Sequence, residues 1–283
     1  MSDPQSQMLE MVEQMPAFPA SVQRILAMTA NVNVAPKDLV QVIDHDPVLT
    51  MRILKVVNSA YYGLSKPIVS VKHAVVYIGI NTIKHLALAI AAVGTMPRDN
   101  EAGFATRAFL IHSVTTAVIS RRLTNSLRAG AAASADAFVA GLIHDIGKVV
   151  FAHFQPEQYR QVLELAKTKR LPLHEAELQI LGADHAELGG LLAEKWKLPP
   201  DLVDAVRYHQ IVPDAASTSP LRNSVFLANI VSNIIEPMPF SPVPLPAPPD
   251  HVLSRYGKSM EELLEEMRGL EDEFEAARAF VER

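Results

Sequence analysis

The feature that most constrains the fold of this chain is helical periodicity, which runs through almost its whole length. Apolar residues recur at spacings of three and four, and no alternating run bounded by turn dipeptides indicates a strand. Several segments open with proline, as at Pro36 and Pro47, in a first turn where an N–H group would lack an intrahelical partner. The sequence therefore predicts an all-α protein with two packed helical bundles and a C-terminal helix.

The N-terminal part is predicted to hold about five helices. One follows Pro19, two open at the prolines just named, and Ser70 and Asn81 are the expected N-caps of the last two. The segment 59–67 lies between helices and is predicted to be a loop.

Composition changes divide the chain into four parts. Its 283 residues suit one large helical domain or two small ones packed together. A polar stretch ending at residue 104 separates a first helical part, 1–104, from a second, 105–235. A strap too rich in proline to be helical spans 236–250, and an amphipathic helical part spans 251–283.

The C-terminal part carries its own start signal and a regular apolar stripe. Ser259 forms a predicted capping box with Glu262. The stripe follows heptad spacing through Met260, Leu263, Met267, Leu270, Phe274, Ala277 and Val281. It fits a helix that docks on the body of the same chain, and it also fits a coiled coil that joins two copies into a homodimer.

Composition also limits the chemistry. The absence of cysteine excludes a disulfide framework, a thiolate zinc site, an iron–sulfur cluster and a cysteine nucleophile. Any metal must therefore be held by nitrogen and oxygen ligands, and ten histidines are present to supply nitrogen.

Charge and hydropathy indicate neither a nucleic-acid partner nor a membrane. The net charge is −5, and no dense run of Lys or Arg appears. The apolar stretch 86–93 is far shorter than a membrane helix requires, and the N-terminus lacks the pattern of a signal peptide. A cytoplasmic protein is the expectation.

The most informative string is Gly141–Lys148, where His144 and Asp145 interrupt an otherwise apolar helical stretch. Burying an imidazole beside a carboxylate is costly unless a partner compensates both. A divalent metal would do so, and a His–Asp hydrogen bond that links two helices is the alternative. Gly147 would permit close approach of another chain segment, and Lys148 could meet a phosphate.

Three further histidines lie on or beside the apolar faces of separate predicted helices: His112, His185 and His209. Each taken alone is an ordinary core histidine. Together with His144 and Asp145, they suggest a metal site inside a helical bundle.

At this point the sequence resembles a known family. His112 followed by His144–Asp145 resembles the ordered pattern of the HD superfamily of metal-dependent phosphohydrolases. Three segments resemble the HDOD domain, the HD-related output domain of bacterial signalling proteins: Asp46–Ser59, Ile68–Gly79 and Leu198–His209. The resemblance covers about residues 14 to 235 and implies an HD-type second bundle, with the His144–Asp145 site in the cleft between the bundles.

The resemblance also implies roles for individual residues. The positions of His112, His144 and Asp145 bind metal in catalytic HD proteins, with Asp145 placed to bridge two ions. His185 and His209 would complete the coordination of a second ion, and Lys148 would contact the phosphate of the substrate. The implied cofactor is a divalent metal, namely Fe, Mn, Ni or Zn, and no other cofactor is expected.

Two positions depart from the catalytic pattern. Asn229 stands where HD enzymes place an aspartate, so this ligand would bring no charge. Gln210 replaces a second histidine after His209, and no Gly-Tyr-Pro motif occurs. Cleavage of cyclic di-GMP is therefore not expected.

Two functions remain open from the sequence. One is a regulatory signalling module that binds a partner protein or a small phosphate-containing ligand. The alternative is a metal-dependent phosphohydrolase acting on a phosphodiester or nucleotide, with Asp145 and Lys148 as its catalytic residues. Asn58 is expected to satisfy backbone groups where its helix ends. Ordinary packing is the favoured role of Tyr61 and Tyr62, and lining the cleft between the bundles is the alternative.

Overall fold

The protein is all-α. A computed structural model describes residues 3–29, 35–59, 62, 64, 66–97, 100–214, 219–239 and 245–278, and these residues form helices and connections without any strand. The predicted fold class is therefore confirmed.

The N-terminal part holds six helices among its described residues. They are α1 (Pro4–Gln14), α2 (Ala20–Thr29), α3 (Pro36–Asp44), α4 (Pro47–Val57), α5 (Val71–Ile78) and α6 (Ile80–Thr95). Proline stands in the first turn of α3 and α4, as predicted. Asp46 caps α4 by accepting a hydrogen bond from the Leu49 N–H at 3.0 Å, and it also accepts one from Ser21 Oγ at 2.6 Å.

The helix α1 was not predicted, and it lies against the second bundle rather than only against the first. Lys195 Nζ donates to the carbonyl oxygens of Val12 and Glu13, at 2.7 Å each. The rings of Phe18 and Trp196 stack with centroids 4.5 Å apart. The N-terminal segment therefore closes one side of the C-terminal half.

The junction of α5 and α6 corrects one predicted boundary. Ser70 caps α5 as expected, accepting from the His73 N–H at 3.3 Å. Asn81 is not a cap, because α6 already begins at Ile80. The turn is made by Gly79, whose φ of 85° suits a residue without a side chain, and the two helix axes differ by 118°.

The second part is built around a long central helix, α7 (Thr106–Ser126), which packs extensively on two others. The remaining helices are α8 (Ala131–Ile143), α9 (Ile146–Phe154), α10 (Pro156–Lys169), α11 (Leu173–Leu181), α12 (His185–Lys195), α13 (Pro200–Arg207) and α14 (Pro220–Ile235). Gly141 lets α8 approach α7 closely, since a Cβ there would lie 2.7 Å from the Ala117 Cα.

One segment, Ala133–Phe154, passes a length and composition test for crossing a membrane, and the bent pair α5–α6 would be a second if counted as one span. In the most apolar window of that segment, 89% of the residues are buried inside the protein. Core helices commonly pass the same test, so this is weak evidence for a membrane span.

The described residues of the proline-rich strap, up to 239 and from 245, form no helix until α15 (Asp250–Leu253) begins. A 3₁₀ turn (Ser254–Tyr256), α16 (Met260–Arg268) and α17 (Glu271–Ala277) follow. The predicted single helix is thus broken. Gly269 stands at the break, and glycine costs up to about 1 kcal/mol in a helix interior relative to alanine.

The capping box of Ser259 and Glu262 is present as predicted. The heptad residues Leu263, Met267, Leu270, Phe274 and Ala277 are buried, and α16 and α17 contact α14 and α7 respectively. The stripe therefore docks on the chain's own body; Val281 lies outside the described residues, and the homodimer stays a prediction.

The loop after α4 behaves as expected where it is described. The Asn58 side chain donates to the Ile68 carbonyl at 2.8 Å and accepts from the Ile68 N–H at 2.7 Å. Tyr62 lines a cleft of about 280 Å³ between the first bundle and α7–α8, together with His85 and Arg121. Tyr61 lies outside the described residues.

Candidate metal centre

The His144–Asp145 pair lies in the turn between α8 and α9, not inside a helix as predicted. The helix α8 ends at Ile143, and α9 begins at Ile146. Both residues are fully buried. Both side chains therefore lie in the interior of the second bundle.

The four candidate histidines surround Asp145 in space. His144 Nε2 lies 3.3 Å and His112 Nε2 3.7 Å from Asp145 Oδ2. His185 Nε2 lies 3.1 Å and His209 Nε2 3.2 Å from Asp145 Oδ1. The carboxylate therefore has two imidazoles at each of its oxygens, and the two groups that could hold an ion share it.

Three of these imidazoles are held by their other ring nitrogen. His144 Nδ1 donates to the Gly141 carbonyl at 2.8 Å, and His209 Nδ1 donates to the Val206 carbonyl at 2.7 Å. His185 Nδ1 donates to Glu177 Oε2 at 2.5 Å. Carbonyl and carboxylate oxygens only accept, so in each neutral ring the lone pair is on Nε2, facing Asp145.

The side chains around Asp145 therefore place several hydrogen-bond acceptors next to one another in the buried interior of the second bundle. His144 Nε2, His209 Nε2 and Asp145 Oδ1 are buried and have no hydrogen-bond partner among the described residues. An unpaired buried acceptor costs about 1–3 kcal/mol, so several together are expensive. A divalent cation beside each of the two groups would accept these lone pairs, so the donor set fits a metal.

Asn229 on α14 completes the first group. Its Oδ1 lies 3.2 Å from His112 Nε2 and accepts from Asn233 Nδ2 at 2.9 Å. The amide oxygen is thus in position to be a fourth donor beside His112, His144 and Asp145 Oδ2, without adding charge.

Lys148, predicted to meet phosphate, instead points its ammonium group at the same carboxylate. Its Nζ lies 2.5 Å from Asp145 Oδ2. The lysine supplies positive charge at Oδ2, on the side of His112 and His144. Gln210, on the Oδ1 side, places its amide nitrogen 3.1 Å from His185 Nε2.

Close packing of α9 on α12 brings His185 to the site. A Cβ at Gly147 would lie 2.1 Å from the His185 carbonyl oxygen, so only glycine fits here. His185 is the first residue of α12, and Asp184 caps that helix by accepting from two backbone N–H groups. Three of the four histidines thus come from helix ends, and His112 alone comes from mid-helix.

The protonation states differ around the ring of histidines. Burial lowers the pKa of His112 to about 3 and that of His209 to about 4, so both are neutral at physiological pH. Burial also opposes charge on His185, but the carboxylates of Glu177 and Asp145 outweigh it and raise its pKa to about 9. Although burial disfavours its charge, Asp145 has a pKa well below its usual range because of His144 and Lys148.

The predicted location of the site between the bundles is wrong. All the candidate ligands come from α7 to α14 or their connections, and each is at most 6% exposed. The cleft between the bundles, lined by Tyr62, His85 and Arg121, contains none of them. The second bundle encloses the site by itself.

Sequence reasoning missed two buried residues at the edge of the site, Glu177 and Tyr159. Both are 0% exposed, and Tyr159 OH donates to Glu177 Oε1 at 3.0 Å. The signal available in the sequence was a glutamate one helix before His185, among apolar residues, which is weak without the fold.

A comparison with family models gives a match to the HDOD domain over residues 15–212. A curated relative, an uncharacterized protein from Treponema pallidum, is 26% identical over 235 residues, or 82% of this chain. The chain spans 45% of that relative's length.

Solved structures share the fold. An HDOD domain protein with unknown function from Geobacter sulfurreducens aligns with a TM-score of 0.75 at 22% identity, over 98% of this chain and 99% of that one. A protein named "Putative phosphohydrolase" from Shewanella amazonensis aligns with a TM-score of 0.76 at 24% identity, over 97% and 98%. At such identities the likeness concerns the fold.

Proposed function

The chain belongs to the HDOD domain family, and from that premise we propose that it is a metal-binding regulatory module of bacterial signal transduction. Divalent metal would be held by two groups that share Asp145: His112, His144 and Asn229 complete one, and His185 and His209 complete the other. Bound metal would join the helices that supply the ligands, from α7 to α14, into one rigid unit. The surfaces of that unit would then contact a partner.

The single observation that carries this proposal is the convergence of imidazole lone pairs on Asp145. His144, His185 and His209 each have Nδ1 tied to an acceptor, so that Nε2 faces the carboxylate at 3.1–3.3 Å. A merely structural His–Asp pair would satisfy Asp145 with N–H donors. His144 and His209, whose Nδ1–H groups are taken by carbonyl oxygens, instead turn electron-pair donors toward Asp145, and His185 does so once its Nε2 proton is displaced, which is what a metal requires.

Regulation is favoured over catalysis by burial and by the ligand set. Each ligand is at most 6% exposed, which leaves little room for a phosphodiester beside the ion. Asn229 in place of an aspartate lowers the negative charge available to an ion at the first group, beside His112 and His144. When bound, the metal supplies a concentrated positive charge that replaces Lys148 and the His185 proton as partners of Asp145.

The binding partner we propose is a signalling protein or a small phosphate-containing ligand, in the cytoplasm. The acidic net charge of −5 supports neither nucleic acid nor an anionic membrane as the partner. We also propose that any homodimer would use surface outside the apolar stripe of α16 and α17, since that stripe is buried in the same chain.

Metal content and turnover measured on the same sample test the proposal. Protein reconstituted with Mn²⁺, Fe²⁺, Ni²⁺ or Zn²⁺ and then desalted should retain about one equivalent or more of one of these metals. Asp145→Asn should remove it, and Asp201→Asn, an exposed aspartate on α13, should not. Retention below about a tenth of an equivalent with every metal would overturn the proposal.

A second candidate, a metal-dependent phosphohydrolase, is favoured by one observation: two potential ion sites share the Asp145 carboxylate. Such a pair can activate water and clamp a phosphate. If this candidate is correct, loaded protein should cleave a generic phosphodiester such as bis-p-nitrophenyl phosphate. Asn229→Asp should then raise turnover, with Asn125→Asp, outside the site on α7, as the matched control.

A further inference from the structure

Glu177 is a buried carboxylate that touches the candidate metal centre from outside the ligand set. It lies on α11 and is 0% exposed. We propose that Glu177 is the positioning residue for His185: it selects the ring tautomer whose Nε2 lone pair faces the metal. This inference rests on the proposed metal binding and adds that Glu177 influences it through His185, without itself contacting the metal.

Both oxygens of Glu177 are fully used. Oε2 accepts from the His185 backbone N–H at 2.9 Å and from His185 Nδ1–H at 2.5 Å. Oε1 accepts from Tyr159 OH at 3.0 Å. Three donors therefore hold one buried carboxylate, and this fixes its orientation toward the imidazole.

The chemical consequence follows from what a carboxylate can do. It only accepts hydrogen bonds, so the His185 nitrogen that faces it must carry a proton. That nitrogen is Nδ1, which leaves Nε2 as the coordinating atom, 3.1 Å from Asp145 Oδ1. The ring is thus oriented before any ion arrives, with Nε2 as the atom that binds once its proton is displaced, which lowers the cost of ordering the ligand.

Tyr159 supports the carboxylate from behind. Its ring is fully buried and lies against Phe104 and Phe151, with centroids 5.8 Å and 6.1 Å away. Burial, together with Glu177, raises the pKa of Tyr159 well above 10, so the hydroxyl remains a donor. Hydrogen bonds therefore join Tyr159 to Glu177 and Glu177 to His185, whose Nε2 lies 3.1 Å from Asp145 Oδ1.

Glu177 also fastens the first backbone N–H of α12, so a purely structural role must be separated from positioning. Glu177→Gln separates them because the amide keeps the size of the side chain and can still hydrogen-bond. The amide can accept from Nδ1–H or donate to Nδ1, so it no longer selects one tautomer. Glu175→Gln makes the same change at an exposed position of α11 and is the matched control.

The experiment measures Zn²⁺ affinity by chelator competition, together with ¹⁵N-edited NMR of the histidine rings in metal-free protein. Wild type and Glu175→Gln should show a slowly exchanging, strongly deshielded Nδ1–H resonance for His185. Glu177→Gln should lose or shift that resonance and bind Zn²⁺ about 10–100-fold more weakly, with a retained helical circular dichroism spectrum. Tyr159→Phe, which keeps the carboxylate, should weaken binding by a smaller factor.

An unchanged Zn²⁺ affinity and an unchanged His185 resonance in Glu177→Gln would overturn the inference. If Glu177→Gln does not fold, the same two measurements on Tyr159→Phe decide it, because no change in either would count against the chain of hydrogen bonds. If wild type binds no metal, the proposed function fails, and the resonance of metal-free protein still decides whether Glu177 holds the ring.

Discussion

At the scale of single residues, the site is a problem of charge balance around Asp145. Its oxygens meet four imidazoles and one ammonium group, at distances of 2.5–3.7 Å. Lys148 and a protonated His185 compensate Asp145 and Glu177 when no ion is bound. A metal must therefore displace the proton from His185, and this couples binding to pH.

Metal affinity should rise with pH up to about 9, by about tenfold per pH unit, because the ion competes with one proton on His185, whose pKa is raised to about 9. Chelator competition between pH 7 and pH 9 measures it. A flat profile would contradict the protonated state of His185, and Glu175→Gln should follow the wild-type profile.

The stability of metal-free protein should have its own pH optimum. His185 has a folded pKa above the ordinary 6.5, so its contribution is present below 6.5 and is lost as pH rises toward about 9. His112 and His209 have lowered pKa values, so their contribution is present above pH 6.5 and is lost as pH falls toward about 3 for His112 and about 4 for His209. Urea unfolding across this range should show greatest stability near pH 6.5, and stability that keeps rising to pH 9 would contradict it.

At the scale of elements, helix ends build the site. The turn at His144–Asp145, the start of α12 and the end of α13 each deliver a side chain that a mid-helix position would hold at a different angle. This arrangement requires α9 and α12 to meet almost backbone to backbone. Gly147 makes that approach feasible, and its side of α9 has no space for a methyl group.

Gly147→Ala should therefore destabilise the fold by about 3 kcal/mol or more, because its Cβ would lie 2.1 Å from the His185 carbonyl oxygen. Gly94→Ala in α6 is the matched control, since its Cβ would meet only the end of the Arg52 side chain at 3.2 Å. The control should be neutral or stabilising by up to about 1 kcal/mol. Equal denaturation midpoints for the two variants would contradict the close packing.

At the scale of the whole molecule, one hydrophobic core joins the parts that composition separated. Buried residues form a single cluster from α1 to α17, across the predicted boundary at residue 104. The N-terminal segment is held to the second bundle by Phe18, Lys195 and Trp196, and the C-terminal helices cover α7 and α14. The four parts are thus differences in sequence composition. Because they share one core, we expect them to unfold as one cooperative unit.

Unfolding should accordingly be a single transition. Trp196 is the one tryptophan in the chain and stacks on Phe18, so its fluorescence reports the contact between the N-terminal segment and the bundle. Fluorescence and far-ultraviolet circular dichroism should give coincident urea transitions. Phe18→Ala should shift both together by about 3–5 kcal/mol, and a shift in fluorescence alone would show that the segment unfolds separately.

The sequence by itself determined the helical class, most helix starts and the identity of the clustered residues, because these depend on local spacing and on residue chemistry. His112, His144, Asp145, His185 and His209 could be named because imidazoles and a carboxylate on apolar faces need a partner. The predicted start of α6 at Asn81 was wrong because the turn at Gly79 begins the helix earlier. The helix α1 was missed because its sequence has no strong periodic signal.

Only the tertiary structure decided where the site lies and what surrounds it. Its position inside the second bundle, the contact of Lys148 with Asp145, and the role of Glu177 and Tyr159 depend on residues far apart in the chain. The docking of the C-terminal stripe was decided in the same way. Periodicity reports which face of a helix is apolar, whereas the partner of that face is chosen by the packing of the whole chain.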